Sequence, residues 1–580
     1  MRRSLALWFA FAPAFVAFSA PPAARANPAV SAPLTFAATL QAARDAYGRQ
    51  DYHLAATLYE RVVHDNPVNP SYWRSLAAAH YLAGEYRDAI PAYQTALQLR
   101  QDQPATVAYY LARAYAKAGD AASGMHWLQQ AMQWGYADLE GARGDDALSS
   151  LRTQAGFNDL LGIIDGSQMT PAQGWRYDLA FLARWAKNKT YHPFRTETGD
   201  RFVSNAIYTE PEFDAQVAEL DRAIPSMSDV EIELAMMRLV QSLGDGHTEL
   251  GGGRRLEYAQ ALPLKFELFP EGLFVTAADP AYRSLLGAQV LAMDGHGATD
   301  VLAAVAPYIS RDNDYWLSAV EPYRLRAIPF LHARGLTTLA DRVTLHLKTL
   351  DGRTQDRTVP VTLDNPDIWN ALPSPKGWLN LYDVLPKPPP LYLKNTNENY
   401  WFEYDAAKKL VYFQYNKIAD ADGETLSAFA DRLGSFLQSH DVEKLAIDMR
   451  WNNGGDTFLN QPLLHVLAAA TINRPGHIFV IIGPRTFSAA LNAADYFGRD
   501  LHALFVGEPT GGKPNAPGDE TFFTLPYSKI SVNFSSVYWE SGWPQDARLA
   551  IAPDVYTPRT FAAYVEGDDP AMDAVLSFEN

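Results

Sequence analysis

The sequence predicts a multidomain α/β chain. It opens with an α-helical repeat array, continues through a helical subdomain and a β-rich segment, and ends in a βαβ core. Three observations carry this expectation. Tyr59, Tyr93 and Trp127 recur at intervals of 34 residues. The apolar pattern turns strand-like over 262–361. From Lys444 onward, short apolar runs alternate between strand length and helix length.

The repeat is read first. Ala55 and Ala89 keep the same interval as the aromatic residues, as do Val62 and Ala96, and Gly48, Gly84 and Gly119 mark turns at nearly that spacing. A period of 34 with small residues where helices cross resembles the tetratricopeptide signature. Each unit is a helix-turn-helix that cannot bury its apolar face alone, so units are expected to stack. The array is expected over 36–165. Such arrays bind protein, which makes a protein partner an expectation for this segment.

Residues 175–260 follow as a helical subdomain. Ile232, Met236, Leu239, Val240 and Leu243 fall at helical spacing and stop at the tight loop Gly244-Asp245-Gly246-His247-Thr248. Over 261–363, strands are expected at Pro263–Phe269, Leu273–Thr276 and Val343–Lys348. Residues 364–398, rich in Pro and Asn, read as a linker. The core, 399–580, alternates strand (444–449), helix (458–470), strand (478–482), helix (488–497) and strand (503–506). That order calls for a parallel or mixed sheet covered by helices, with the site at the carboxyl ends of the strands.

Bulk properties narrow the function. The 580 residues carry a formal net charge of -17, which repels phosphate backbones and argues against nucleic acid. With no cysteine, thiol catalysis, disulfides and thiolate metal sites are excluded. Arg2 and Arg3, the apolar run Leu5–Phe18 and the small residues of Ala24-Arg25-Ala26 read as a secretory signal over 1–26, cleaved after Ala26. The run is too short to span a bilayer, so a periplasmic or secreted chain without a membrane span is expected.

Three loops at the predicted strand ends hold reactive residue types. Gly483-Pro484-Arg485-Thr486-Phe487 leads to Ser488, which opens a helix. The Ala489 amide and the helix dipole favour negative charge beside that hydroxyl, although serine at a helix start is commonly a cap. Arg450-Trp451-Asn452-Asn453-Gly454-Gly455 follows a buried strand, and paired glycines let amides turn inward. Gly507-Glu508-Pro509-Thr510-Gly511-Gly512-Lys513 places a lysine 25 residues beyond the serine, either a solvated loop charge or a desolvated base.

These three segments resemble the tail-specific (carboxy-terminal processing) protease family over roughly 175–580. The resemblance implies a ClpP/crotonase-like protease core with Ser488 as nucleophile, Lys513 as base, and the amides of Gly455 and Ala489 as oxyanion hole. The loop around His247 is similar to the tricorn-like branch, in which a histidine is the base, and Glu540 then stands at the position of its orienting acid. Both bases remain candidates, His247 being closer to the pKa a neutral-pH base needs. Leu491 departs from the glutamate common in processing proteases. The β-rich segment occupies the place of a PDZ domain, and Gly287–Gly295 resembles a PDZ strand-turn, so a PDZ-like fold that adds an extended chain end is expected.

The expected function is therefore an exported serine-type peptidase acting on polypeptides through an acyl-enzyme, with no metal or cofactor. The alternatives are a non-catalytic protein-binding scaffold and an esterase or amidase of small substrates. No Gly-x-Ser-x-Gly elbow, His-Glu-x-x-His helix or phosphate-binding loop is present.

Overall fold

The computed structural model describes residues 35–579 except 101–102, 137, 188–193, 196–204, 252–259 and 364–365. The expected signal segment lies outside the described residues. The chain divides into two compact units, residues 1–102 and 103–580.

The first unit is four antiparallel helices: α1 (Phe36–Gly48), α2 (Tyr52–Asp65), α3 (Pro70–Leu82) and α4 (Tyr86–Gln98). Thr35, Asp51 and Asn69 cap the first three by accepting from backbone amides one turn in. Gly84 takes a φ of 82° after α3, a value that suits glycine. Ala55, Ala89, Val62 and Ala96 are fully buried and Tyr59 and Tyr93 nearly so. The small residues of the 34-residue pattern thus sit where helices approach closely.

The second unit starts with α5 (Pro104–Lys117) and α6 (Ala121–Gln133). Trp127 lies on α6, as Tyr93 lies on α4 and Tyr59 on α2, one aromatic per second helix. The apolar faces of α5 and α6 share a core with Phe157, Leu161 and the helices Pro171–Lys187 and Asp229–Gln241.

Three sheets complete this unit. The strands are β1 (Glu249–Leu250), β2 (Leu264–Phe269), β3 (Gly272–Ala278), β4 (Gln289–Met293), β5 (His296–Gly297), β6 (Arg342–Lys348), β7 (Thr354–Pro360) and β8 (Leu379–Asn380). They continue with β9 (Tyr400–Asp405), β10 (Leu410–Tyr415), β11 (Lys444–Asp448), β12 (Ile478–Ile482), β13 (Ala503–Gly507), β14 (Asn515–Thr524), β15 (Ser531–Glu540) and β16 (Val555–Tyr556). One sheet runs β2-β3-β4-β6-β7, with β5 on β4 and β8 on β3. Its segment is less purely stranded than the pattern suggests, because helices Ala298–Val305, Leu317–Arg324 and Ile328–Ala333 fill the connection from β5 to β6.

The core sheet has the order β16-β13-β12-β11-β10-β9, parallel except for β9. Both faces are covered, so its strands are continuous apolar runs. Leu445, Ile447, Ile478, Val480 and Ile482 pack under helices Leu426–Ser439, Asn460–Ala469 and Ala489–Asp500. The alternate residues Ala446, Phe479 and Ile481 meet Ala571, Met572 and Val575 of helix Pro570–Ser577. Each fully buried large aliphatic side chain contributes about 1.5–3 kcal/mol. Residues 366–398, expected as a linker, do not run free. Tyr392 and Leu381 are buried, and the Tyr392 carbonyl accepts from Gln414 on β10.

The third sheet, β1-β15-β14, is antiparallel. Asp178, fully buried on the helix Pro171–Lys187, anchors the hairpin tip by accepting from the amides of Tyr527 and Ser528, both at 2.7 Å. Thus β1, the strand just after the His247 loop, is paired to a hairpin that is itself tied down.

Candidate active site

The loops at the carboxyl ends of β11 and β12 are locked together by side-chain bonds. Thr486 donates to the Met449 carbonyl (3.0 Å) and accepts from the Gly483 amide (3.1 Å), which closes the turn after β12. Asn452 donates to the Tyr415 carbonyl and accepts from the Gly454 amide, while its own carbonyl takes the Phe487 amide (3.2 Å).

Ser488 leaves this turn with φ 56° and ψ -131°, and its side chain makes no capping bond to the helix that follows. The ordinary cap role is therefore not what the serine does here. A non-glycine residue held there costs of order 1–3 kcal/mol. The strain aims the half-buried hydroxyl into a cavity of about 190 Å³ that Ser488, His247, Gly455, Ala489, Asp312, Leu491, Asp519 and Trp539 help to line.

Ala489 and Gly455 both line that space. Ala489 opens the helix, so its N–H has no acceptor within it. At Gly454-Gly455 the carbonyl of Gly454 accepts from the Ile418 amide (3.0 Å). In a trans peptide the N–H of Gly455 points the opposite way. Gly454 and Gly455 hold φ of 109° and 140°. A side chain on Gly454 would lie 2.8 Å from Ser488 Cβ, and one on Gly455 would lie 2.0 Å from the Ile418 carbonyl oxygen.

His247 is positioned from below. Asp245, almost fully buried, accepts from the His247 amide (2.9 Å), the Thr248 hydroxyl (2.5 Å) and the Ser535 hydroxyl (2.9 Å), which pins the loop to β15. The imidazole stacks on Phe487 at 4.5 Å, and Phe487 stacks on Trp316 at 4.4 Å. Both ring nitrogens are buried and have no hydrogen-bond partner among the described residues. The ring therefore lines the cavity without touching the Ser488 hydroxyl through a hydrogen bond, as is common for catalytic pairs before substrate arrives.

Lys513 and Glu540 do not line the cavity. Lys513 is buried behind it, where burial holds its ammonium below the usual lysine range and the carboxylates of Asp312 and Asp245 act against that. Glu540 is exposed at the far end of β15. Three carboxylates, those of Asp312, Asp519 and Glu520, feel the charge of His247, and Asp312 and Asp519 line the cavity with it. Asp312 Oδ1 accepts from the Gly246 amide (2.7 Å), and its Oδ2 is buried with no hydrogen-bond partner among the described residues.

Burial pushes the Asp312 carboxyl up to about 6, against the pull of His247. Its native value lies above its unfolded one, so the native state holds the proton more tightly. The stability this group contributes is whole below about pH 4 and is lost as pH rises past 6. Asp312→Asn keeps an acceptor for Gly246 and removes the titration. The variant is expected to gain about 2–3 kcal/mol on the wild type between pH 4 and pH 7, read from urea midpoints at the two pH values. An unchanged difference between the two proteins would contradict this.

The tetratricopeptide-repeat family model matches residues 40–104 and 83–137. The N-terminal helices are tetratricopeptide repeats. No curated protein matches the chain in sequence. Among solved structures, the chain is similar to mature CPAF complexed with lactacystin, at 13% identity and a TM-score of 0.49, over 70% of this chain and 98% of that one. It is similar to the photosystem II D1 C-terminal processing protease at 12% identity and 0.33, over 68% and 98%. A putative peptidase from Parabacteroides merdae is similar at 12% identity and 0.36, over 71% and 98%. Identities this low report nothing about activity. No helix among the described residues is long and apolar enough to cross a membrane.

Proposed function

We propose that this chain is an exported serine-type peptidase that cleaves polypeptides through an acyl-enzyme, with Ser488 as nucleophile and His247 as base. The observation that carries the reading is the uncapped, strained Ser488, held in one cavity with His247, Gly455 and Ala489. Serine hydroxyl attacks the scissile carbonyl carbon and its proton passes to the imidazole. The amides of Ala489 and Gly455 hold the oxyanion. On collapse the C–N bond breaks and the imidazolium protonates the departing amine. Water then repeats the sequence to release the acid.

His247 is favoured over Lys513 because it lines the cavity and its ring nitrogens are uncommitted. The reading requires the imidazole to turn off the Phe487 face so that a ring nitrogen reaches the serine hydroxyl. Asp312 then stands as the carboxylate that supports the imidazolium, in the place expected for Glu540. The repeats, in this reading, recruit a protein.

A second reading, a binding scaffold without turnover, draws on the resting position of His247 against Phe487. Side-by-side assays separate the readings. The peptidase reading expects unfolded casein to be cut with higher kcat/KM than p-nitrophenyl acetate. Faster ester turnover would favour the small-substrate hydrolase, and no turnover of either would favour the scaffold.

A further inference from the structure

A second cavity, of about 300 Å³, shares no lining residue with the Ser488 cavity. It lies between β2, the loops after β11 and β12, and the segment 557–571. Four cationic side chains reach it, and three of them have carboxylate partners. Arg559 and Lys265 share Glu267, at 2.6 and 3.4 Å. Arg450 is held between Asp448 and Asp569, at 2.9 and 2.8 Å.

The fourth, Arg485, has no carboxylate within ion-pair distance among the described residues. Its Nη2 donates to the Trp369 carbonyl (2.7 Å), while its Nε is buried with no hydrogen-bond partner among the described residues. The guanidinium lies 4.2 Å above the Trp369 ring and 5.6 Å from the Trp451 ring. Burial holds it down at about 10. Glu508 also lines the cavity, but burial pushes its carboxyl up, which weakens its claim as counter-ion.

Glu267 and Asp367 act on Arg485 only from beyond ion-pair distance, and a buried guanidinium with no directly paired carboxylate is costly, which favours an anionic ligand with a charge-assisted hydrogen bond to it. The tryptophan rings offer an apolar wall beside it. We infer that this cavity binds a carboxylate ligand with an apolar body, its carboxylate at the Arg485 guanidinium and its body against Trp369 and Trp451. Two sources share that chemistry: a small free carboxylate and the carboxyl end of a peptide. Arg485 also meets Asn453, whose amide, in the orientation that suits its neighbours, bonds to the Arg485 carbonyl (3.1 Å) and Nη2 (3.0 Å). An occupant therefore touches the loop that carries Gly454 and Gly455.

The full chain carrying Ser488→Ala, which cannot turn over a peptide, is titrated by calorimetry and tryptophan fluorescence. The probes are benzoate and the tetrapeptide Ala-Ala-Pro-Phe as free acid and as amide. Saturable binding of benzoate or of the free acid is expected, weakened at least about tenfold by Arg485→Gln and less by Arg485→Lys. Tighter binding of the peptide acid than of its amide supports the chain-end source, and binding of benzoate alone supports the small carboxylate. No saturable binding of either acid, or equal affinity in both Arg485 variants and the parent, would overturn the inference. Because binding is read in a catalytically dead chain, failure here leaves the peptidase reading standing.

Discussion

Ser488→Ala is expected to lower kcat/KM for polypeptide cleavage by at least about 10⁴-fold, the scale on which hydrolases lose activity when the attacking hydroxyl goes. The fold is expected to survive, because the Ser488 side chain caps nothing. A sharper comparison uses Ser488→Gly. Glycine accepts a φ of 56° without strain. Relief of about 1–3 kcal/mol exceeds the cost of a freer unfolded chain, about 0.5–1 kcal/mol. The glycine variant is therefore expected to be inactive and more stable than the alanine variant in urea. Retained activity in either would end the assignment of Ser488 as nucleophile. Equal stability of the two would show that the backbone there is not strained.

The second large effect is expected at Gly455. An alanine there meets the Ile418 carbonyl oxygen at 2.0 Å and must also abandon a φ of 140°. The bridge to Ile418 breaks, and the peptide that aims the Gly455 N–H turns with it. Loss of one oxyanion donor costs about 10²–10³-fold in kcat. The reading predicts that kcat falls by at least that factor while KM changes little, since the donor acts on charge that develops only in the transition state. A fall carried mainly by KM would place Gly455 in substrate binding instead.

Much of the core was legible because its strands are buried on both faces. Runs such as Ile478–Ile482 and Lys444–Asp448 are continuous and apolar, and the helices between them keep a helical period. The repeats were legible because a 34-residue period survives in Tyr59, Tyr93 and Trp127. The alternation of residues 262–361 concealed three helices, whose short apolar stretches do not distinguish helix from strand by period.

The cavity of the candidate site was legible where its lining residues sit on strand-end loops, as Ser488 and Gly455 do. Asp312 carried no local signal. It lies on a loop of the β-rich segment, far from Ser488 in sequence, and contacts from Asn205, Gly246 and Gly512 hold it in the cavity beside the histidine. The resemblance to the tricorn-like branch put the orienting acid at Glu540, but the β14–β15 hairpin carries that residue to an exposed end. The strained backbone at Ser488 was equally hidden, since a serine before a helix reads the same whether it caps or not. Residues 366–398 read as a linker by their prolines, yet Trp369 and Tyr392 pack into the loops around Arg485 and Arg450.

The most direct measurement is to label the full chain with a fluorophosphonate and map the adduct by mass spectrometry. The account predicts one stoichiometric adduct, on the peptide containing Ser488. No adduct, or an adduct on another serine, would contradict it.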